Sequence, residues 1–486
     1  MLKFGTSGLR GLVEELTDKE CYLYTIAFLE YLQDLKLVKK NCTVSIAGDF
    51  RPSTPRILKA CVAAIKDFGF QIDYCGIIPT PTVSFYAFQR KIPSIMVTGS
   101  HIPYDRNGIK FNLPTAEILK KDEQIITAKH QKIANNEKFN QLFDKKGTLK
   151  KNISLPKLNK KAETEYIERY LKFFPKNLLK GKRIVVFQHS AVIRDIMASA
   201  LKKLGAVVIK VERSEKFIPI DTEAIQEIYL KKAQTWVKKY KADAILSADG
   251  DSDRPMLFDE TGTFIRGDFL GVITSAYLKA DSVSATASCT TALEKSKLFR
   301  KINRTKIGSP YVVEAMQNDE KKGFRRVGSY EANGGYLLQT NLKLNGCELR
   351  ALPTRDSMLP ILSALALAKK KNLPLSKLVR LFPQRFVYSQ SIKGFPTEKG
   401  QEILKKISAG DLTAKKTAQK IFGLVSEIEE INFLDGARMF LSSGEILHVR
   451  PSGNSPELRV YCETGSLEKS KKMTEEVLNK LAEMKK

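Results

Sequence analysis

Ala242-Asp243-Ala244-Ile245-Leu246-Ser247-Ala248 runs straight into Asp249-Gly250-Asp251-Ser252-Asp253-Arg254-Pro255. The first seven residues read as a buried strand, and the polar residues after Ala248 read as the loop at its end. Asp249, Asp251 and Asp253 stand at i, i+2 and i+4, a spacing that projects all three to one side of an extended chain. Like charges packed so closely repel, and a bound cation is the natural remedy. An all-oxygen donor set favours Mg²⁺ or Ca²⁺ over zinc. The spacing imitates an EF-hand, with Glu260 at the twelfth position, but Arg254 stands where that loop needs glycine and Pro255 follows it. Mg²⁺ commonly takes few carboxylates and completes its shell with phosphate oxygens and water, so a phosphorylated group is expected as a further ligand. Arg254 is then placed to hold a phosphoryl oxygen or a sugar hydroxyl.

Working outward, the same strand-then-loop pattern recurs. Short β-branched or apolar runs appear at Thr43–Ala47, Ile92–Val97, Arg183–Phe187 and Ala206–Val211. Amphipathic stretches such as Pro55–Phe68 and Val192–Lys203 lie between them. This alternation predicts α/β units with parallel strands. Asp259-Glu260-Thr261-Gly262 reads as a hairpin turn, and the Lys-rich stretch 144–163 reads as a linker. Met358–Ala368, the longest apolar segment, holds Pro360 and Ser363 and falls short of the ~20 residues that span a bilayer; it predicts a buried helix.

With 486 residues the chain is too long for one hydrophobic core, and two to four domains are expected. Apolar residues at 43% and charged residues at 28% describe an ordinary globular balance. The seven cysteines are scattered, odd in number and never form CxxC, which argues against a disulfide framework or a zinc site. The opening residues lack the n- and h-regions of a secretory signal, so a cytoplasmic protein is expected. The net charge is +28, but its lysines are spread along the whole chain without a basic arm or an aromatic-interleaved stripe. That distribution predicts solvated faces, with no nucleic-acid or membrane partner, and a field that attracts a dianionic substrate.

Three further loops carry chemistry-bearing residues. Ile95-Met96-Val97 leads into Thr98-Gly99-Ser100-His101-Ile102-Pro103, followed by the turn Asp105-Arg106-Asn107-Gly108 and by Ile109-Lys110-Phe111. A loop at the carboxyl end of such a strand is where α/β sheets place function. Ser100 and His101 do not read as a hydrolase dyad, because adjacent side chains rarely face each other and the G-x-S-x-G elbow is absent. Glu331 and Asn333, within Gly328-Ser329-Tyr330-Glu331-Ala332-Asn333-Gly334-Gly335, face the same way if that loop is extended and suit vicinal sugar hydroxyls. Arg450-Pro451-Ser452-Gly453-Asn454-Ser455-Pro456 joins two strands and offers backbone N–H groups beside a planar guanidinium, an anion cradle that is not a Walker A loop.

Taken in order, these loops resemble those of the α-D-phosphohexomutase superfamily, which includes phosphomannomutases and phosphoglucomutases. Gly5-Thr6-Ser7-Gly8-Leu9-Arg10-Gly11 resembles its opening segment, Thr98-Gly99-Ser100-His101 with Lys110 its phosphoserine loop, Asp249 to Arg254 its metal loop, Glu331-Ala332-Asn333-Gly334 its sugar loop, and Arg450-Pro451-Ser452-Gly453 its phosphate loop. The resemblance implies four domains around a central cleft, three α/β domains with mixed sheets and a C-terminal α+β domain. Expected spans are 1–150, 151–254, 255–372 and 373–486. It implies a phosphate carried on Ser100, Mg²⁺ held by Asp249, Asp251, Asp253 and that phosphate, and Arg10, His101, Lys110 and Arg254 around the transferring group. Glu331 and Asn333 would orient the sugar, while Arg450, Ser452, Gly453, Asn454 and Ser455 would hold the phosphate that is not reacting. A hexose bisphosphate is the implied intermediate, in a monomer or dimer. Gly335 departs from the pattern, because many members carry a proton-accepting histidine there. His101 and Lys110 remain as the acid/base candidates. Gly334-Gly335 resembles a bacterial phosphomannomutase branch. Phosphoglucomutase, dual specificity and phosphoglucosamine mutase are the alternatives within the class, the last disfavoured by its usual Glu-Gln-Ser-Gly loop. Outside it stands a basic binding protein that keeps the fold without catalysis.

Overall fold

The computed structural model describes residues 2–5, 8–452 and 456–484. The chain divides into two compact units, Met1–Val283 with Gly308–Val379, and Ser284–Ile307 with Arg380–Lys486. Among the described residues, no helix is long and apolar enough to cross a membrane.

In the first unit, a six-stranded sheet takes the order Lys3–Phe4, Leu9–Leu12, Arg106–Asn112, Ser94–Val97, Thr43–Gly48, Gln71–Ile77. Thr43–Gly48 runs parallel to both Gln71–Ile77 and Ser94–Val97, and Arg106–Asn112 returns antiparallel. The strands are apolar at successive positions because both faces are covered. Ile46, Ile95, Val97, Ile109 and Phe111 point into a core shared with the helices Asp18–Asp34 and Thr54–Asp67. Ala47 and Met96, one residue out of step, point the other way, against Val83 and Tyr86 of the helix Thr80–Arg90.

A second sheet repeats the plan in the order Phe264–Ile265, Pro255–Phe258, Ala244–Ala248, Arg183–His189, Val207–Arg213. Its last three strands are parallel, and the hairpin through Asp259–Gly262 adds the antiparallel edge. A third region runs antiparallel through Val327–Tyr330, Tyr336–Leu338 and Leu352–Asp356. The segment expected as a buried helix forms one over Met358–Lys371, with Pro360 in the first turn, where its missing N–H costs nothing. The expected linker at 144–163 is less free than its lysines imply. Ile153 is buried, Asn159 hydrogen-bonds Asp73 and Tyr86 at 2.6 and 2.8 Å, and residues from Lys161 onward already belong to the helix Lys161–Phe173.

The second unit carries an antiparallel sheet in the order Phe386–Lys393, Glu457–Thr464, Ile446–Pro451, Ala437–Leu441, Ile428–Asn432. Alternate residues Leu447, Val449, Leu458, Val460 and Cys462 enter a core with Ile403, Phe422, Val477 and Leu481 from three helices. Both expected strands flanking residue 452 are present and paired.

Asp356 ties the helix Lys161–Phe173 to the strand Leu352–Asp356. Its carboxylate accepts from Tyr166 Oη at 2.7 Å, from Arg169 Nη1 at 3.1 Å, from Tyr170 Oη and from the Met358 N–H at 3.0 Å. All of these groups are buried. Asp356→Ala leaves the Arg169 charge unpaired in the interior and should cost about 3–5 kcal/mol. A urea titration followed by circular dichroism should show a lowered midpoint, and an unchanged midpoint would show that this node is not structural.

Candidate active site

Three parallel strands of the first sheet deliver the site at their carboxyl ends. Thr43–Gly48 is followed by Asp49 and Arg51, Gln71–Ile77 by Thr80, and Ser94–Val97 by Ser100. Ser100 is fully buried and sits at φ 56°, a left-handed conformation costly for a residue with a Cβ. Its backbone is held there from two sides. The Ser100 N–H donates to Thr98 Oγ1 at 2.8 Å, and Thr98 in turn donates to Asp49 at 2.7 Å. Arg51, paired with Asp49 at 3.2 Å, spends its two Nη groups on four carbonyls: Ser100 at 2.9 Å, Ile102 at 2.5 Å, Pro103 at 2.6 Å and Arg106 at 2.9 Å. The loop is therefore wrapped around one buried guanidinium.

Ser100 Oγ donates to Asp249 Oδ2 at 2.8 Å and lies 3.3 Å from His101 Nδ1. The adjacent histidine thus does approach the serine, against expectation, because the left-handed turn at Ser100 swings the two side chains together. The acidic segment also differs from its reading in shape. It is a turn, not an extended chain: the Ser252 N–H bonds the Asp249 carbonyl at 3.1 Å, and Ser252 sits at φ 62°. Gly250 lets this turn abut the serine loop, since a Cβ there would lie 2.7 Å from the Ser100 carbonyl oxygen. Curling, not alternation, converges the carboxylates, whose oxygens lie within 4.8 Å of one another.

The cluster is tightly charge-compensated. Lys110 Nζ donates to Asp251 Oδ2 at 2.6 Å and Asp253 Oδ2 at 2.7 Å, and Thr80 Oγ1 donates to Asp251 Oδ2 at 2.5 Å. Arg355 donates to Asp253 Oδ2 from Nε and Nη2 at 3.0 and 2.8 Å, and to Glu331 Oε2 at 2.8 Å. Burial, then the charges of Asp251 and Asp253, push the Asp249 carboxyl well above its ordinary range. For Asp253, burial acts upward, but Arg355, Lys110 and Arg254 outweigh it and hold the carboxyl far below that range. Burial would lower the Lys110 ammonium, yet Asp251 and Asp253 raise it. His101 is pushed well below its usual value by burial, then by Arg254 and Arg10, so its ring is neutral.

Several buried polar atoms here have no hydrogen-bond partner among the described residues: Asp251 Oδ1, Asp253 Oδ1, Arg10 Nε and Nη2, and Arg254 Nε. Leaving such atoms unmet is costly unless a ligand meets them. The two carboxylate oxygens, beside Asp249, fit a hard cation, so the aspartate triad could hold a metal ion. The arginine nitrogens fit an anion beside it. Burial, then Arg254 and Arg355, lower the Arg10 guanidinium to about 10, which leaves it charged at neutral pH.

Glu331 and Asn333 lie side by side, with Asn333 Nδ2 3.5 Å from Glu331 Oε2, but again on a turn: the Gly334 N–H bonds the Glu331 carbonyl at 2.9 Å. Asn333 Oδ1 accepts from the Gly335 N–H at 3.0 Å, so this side chain also shapes the loop. The first unit brings together Arg10, Ser100, His101, Lys110, Asp249, Asp251, Asp253, Arg254, Glu331 and Asn333. In the second unit, Arg450 Nε is paired with Asp435 at 2.9 Å and Ser452 is buried. Gly453, Asn454 and Ser455 lie outside the described residues, as do Thr6 and Ser7 of the opening segment. Arg51, Asp49, Thr80 and Arg355 are absent from the sequence reading. The signal for Asp49 and Arg51 was their place directly after a buried strand, and for Arg355 a charge within the otherwise apolar run before Met358.

Comparison with known proteins places the whole chain. Four family models match in order: phosphoglucomutase/phosphomannomutase α/β/α domain I over residues 1–137, domain II over 164–262, domain III over 266–386, and the C-terminal domain over 402–480. A phosphomannomutase of Salmonella muenchen is 39% identical over 99% of this chain and 95% of its own. One of Sinorhizobium fredii is 40% identical over 95% and 94%. The crystal structure of a putative phosphomannomutase from Thermus thermophilus superposes with a TM-score of 0.75 over 99% of both chains, at 17% identity, which speaks to the fold alone. Fold and sequence together define an isomerase, an intramolecular phosphotransferase of the phosphohexomutase type. The chain belongs to the phosphoglucomutase/phosphomannomutase family.

The role of Arg51 in holding the serine loop has a test of its own. In Arg51→Lys one ammonium replaces a guanidinium that serves four carbonyls, so the serine loop should lose its fixed place. Misplacement by about 1 Å costs on the order of 10²-fold. Steady-state assays should show kcat reduced by about that factor with KM little changed, and a wild-type kcat would remove Arg51 from this role.

Proposed function

We propose that the chain is a phosphomannomutase that interconverts mannose 6-phosphate and mannose 1-phosphate, with Ser100 carrying the phosphoryl group. The observation that carries this reading is the buried Ser100 hydroxyl bonded to Asp249 of the converging carboxylates, in a site where Arg10 and Arg254 keep buried nitrogens with no hydrogen-bond partner among the described residues. The two phosphomannomutase relatives, matched over nearly their whole lengths, support mannose as the sugar.

In the proposed cycle, the free hydroxyl of a hexose monophosphate attacks the phosphorus on Ser100. The new P–O bond forms as the bond to Ser100 Oγ breaks. His101, neutral and 3.3 Å from Ser100 Oγ, takes the hydroxyl proton and returns it to that oxygen. Lys110 is less suited to accept a proton, because two aspartates hold it charged. Arg10 and Arg254 stabilise the transferring phosphoryl from their unmet nitrogens. The hexose bisphosphate then turns, and Ser100 recovers a phosphoryl from the other position. Glu331 and Asn333 orient the sugar hydroxyls. Arg450, Ser452, Gly453, Asn454 and Ser455 are the proposed phosphate-binding residues of the second unit.

Asp249, Asp251, Asp253 and the phosphoryl of Ser100 are the proposed ligands of Mg²⁺, which when bound neutralises charge on the transferring group. Asp251→Asn should reduce turnover by at least about 100-fold. A variant with unchanged Mg²⁺ dependence would take the acidic turn out of this role.

The decisive experiment combines Ser100→Ala with coupled assays on mannose 1-phosphate and glucose 1-phosphate, each with a catalytic amount of the bisphosphate. Wild-type protein should turn over mannose 1-phosphate, and intact mass should show one phosphate that Ser100→Ala lacks. Near wild-type turnover by Ser100→Ala would refute the phosphoserine. A clear preference for glucose 1-phosphate would correct the sugar, and no turnover on either would favour a binding protein.

A further inference from the structure

Arg355 sits where the acidic turn and the loop bearing Glu331 meet. Its strand, Leu352–Asp356, is buried throughout, and Arg355 as a residue is 2% exposed. Two nitrogens reach Asp253 Oδ2 at 3.0 and 2.8 Å and a third reaches Glu331 Oε2 at 2.8 Å. A planar fork can serve two carboxylates at once, which an ammonium cannot do with the same geometry. The choice of oxygens matters. On Asp253, Arg355 and Lys110 both take Oδ2, and Oδ1 is the buried atom with no hydrogen-bond partner among the described residues. On Glu331, Arg355 and Asn333 both take Oε2. One guanidinium therefore holds one oxygen of each carboxylate, and on Asp253 it leaves Oδ1 without a hydrogen-bond partner among the described residues.

The residue is itself locked. Asp356, next in the chain, anchors the strand through Tyr166, Arg169 and Tyr170. Ser357 Oγ donates to the carbonyl of Ser252, inside the acidic turn, at 2.8 Å. Gly335 completes the device from the opposite side. A Cβ there would lie 2.6 Å from Cδ, 2.7 Å from Cγ and 2.8 Å from Cβ of Arg355. Glycine at 335 and arginine at 355 are two halves of one arrangement, because the arginine stem fills the space a side chain at 335 would need.

We propose that Arg355 is a positioning residue that couples the cation held by the aspartates to the sugar held by Glu331, so that each ligand strengthens the binding of the other. The proposal rests on the metal and sugar roles argued above. Because the strand and stem of Arg355 hold its guanidinium in place, a ligand that fixes either carboxylate acts through this shared partner on the placement of the other carboxylate and spares the second ligand part of that ordering cost. Such couplings typically amount to about 5–150-fold in affinity, and they are reciprocal.

The test measures Mn²⁺ binding by the electron paramagnetic resonance of the free ion, with and without saturating mannose 1-phosphate, in protein carrying Ser100→Ala so that no phosphoryl is transferred. The sugar phosphate should tighten Mn²⁺ binding at least about 5-fold. Adding Arg355→Lys, which keeps a charge between the two carboxylates, should bring that factor below about 2 while both ligands still bind. Gly335→Ala, which crowds the stem without removing a charge, should do the same, and combining the two should cause little further loss. Thermal melts identify any variant that fails to fold, in which case the other variant decides. Undiminished coupling in a folded variant would overturn the proposal. If Mn²⁺ binds neither the Ser100→Ala protein nor the phosphorylated wild type, or if mannose 1-phosphate does not bind, the metal or sugar assignment fails instead.

Discussion

Three carboxylates buried on one five-residue turn are the constraint that shapes the first unit. Two unit charges 4 Å apart repel by about 4 kcal/mol at an effective dielectric near 20, and burial adds a desolvation cost for each. The fold meets this with Arg254 at the end of the turn itself and with two cations brought from distant parts of the chain, Lys110 from the first sheet and Arg355 from the third region. None of these is a surface pair of small value, because each is nearly excluded from water. The compensation also splits the carboxylates into unequal groups. Asp253, with three cations around it, stays ionised far below the usual range, while Asp249 is driven upward and accepts the Ser100 hydroxyl.

The parallel sheets follow from the same need. A buried charge cluster has to be built from backbone segments that emerge at one place, and carboxyl ends of neighbouring parallel strands provide that. The mixed register of the first sheet sets Lys110, on an antiparallel strand, beside Met96 of the strand that leads to Ser100. The antiparallel hairpin of the second sheet fixes Pro255 opposite Ala248, which closes the acidic turn between them. The apolar alternation at Ile46, Ala47, Ile95 and Met96 serves the site indirectly, because it prevents the one-residue slip that would displace every loop at the strand ends.

Much of this could be read in the sequence where a local signal exists. Strand-then-loop punctuation located Ser100, Asp249 and the hairpin after Asp253, and the apolar run at Met358 foretold its helix. Conformation inside the loops was not legible. The i, i+2, i+4 spacing of the aspartates led to an extended reading, whereas the left-handed Ser252 makes them converge by curling. Glu331 and Asn333 do lie side by side, but on a turn closed at Gly334 and not on an extended loop. Arg355 was invisible for a different reason. Its partners are 102 and 24 residues away, and an arginine in an apolar run carries no local mark of what it will meet. Gly335 was noticed only as a missing side chain; its cause, the stem of Arg355, exists only in three dimensions.

The contact between Ser100 and Asp249 explains why the site is so rich in cations. An unmodified serine can donate its proton to Asp249 at 2.8 Å, and the pair is self-sufficient. A phosphoryl group on that oxygen, the state the proposed cycle requires, removes the donor and adds about −1.5 to −2 charge against a carboxylate already strained by its neighbours. Lys110 and Arg355 are already committed to Asp251, Asp253 and Glu331 and can relieve little of it. Arg10 Nε and Nη2 and Arg254 Nε, which make no hydrogen bond among the described residues, can receive the new oxygens, and Asp251 Oδ1 and Asp253 Oδ1, the latter 3.7 Å from Arg254 Nε, can share a cation with them. The groups without a hydrogen-bond partner around the bare serine are therefore those a phosphorylated one would need, so the site is complementary to the phosphorylated serine and not to the bare one.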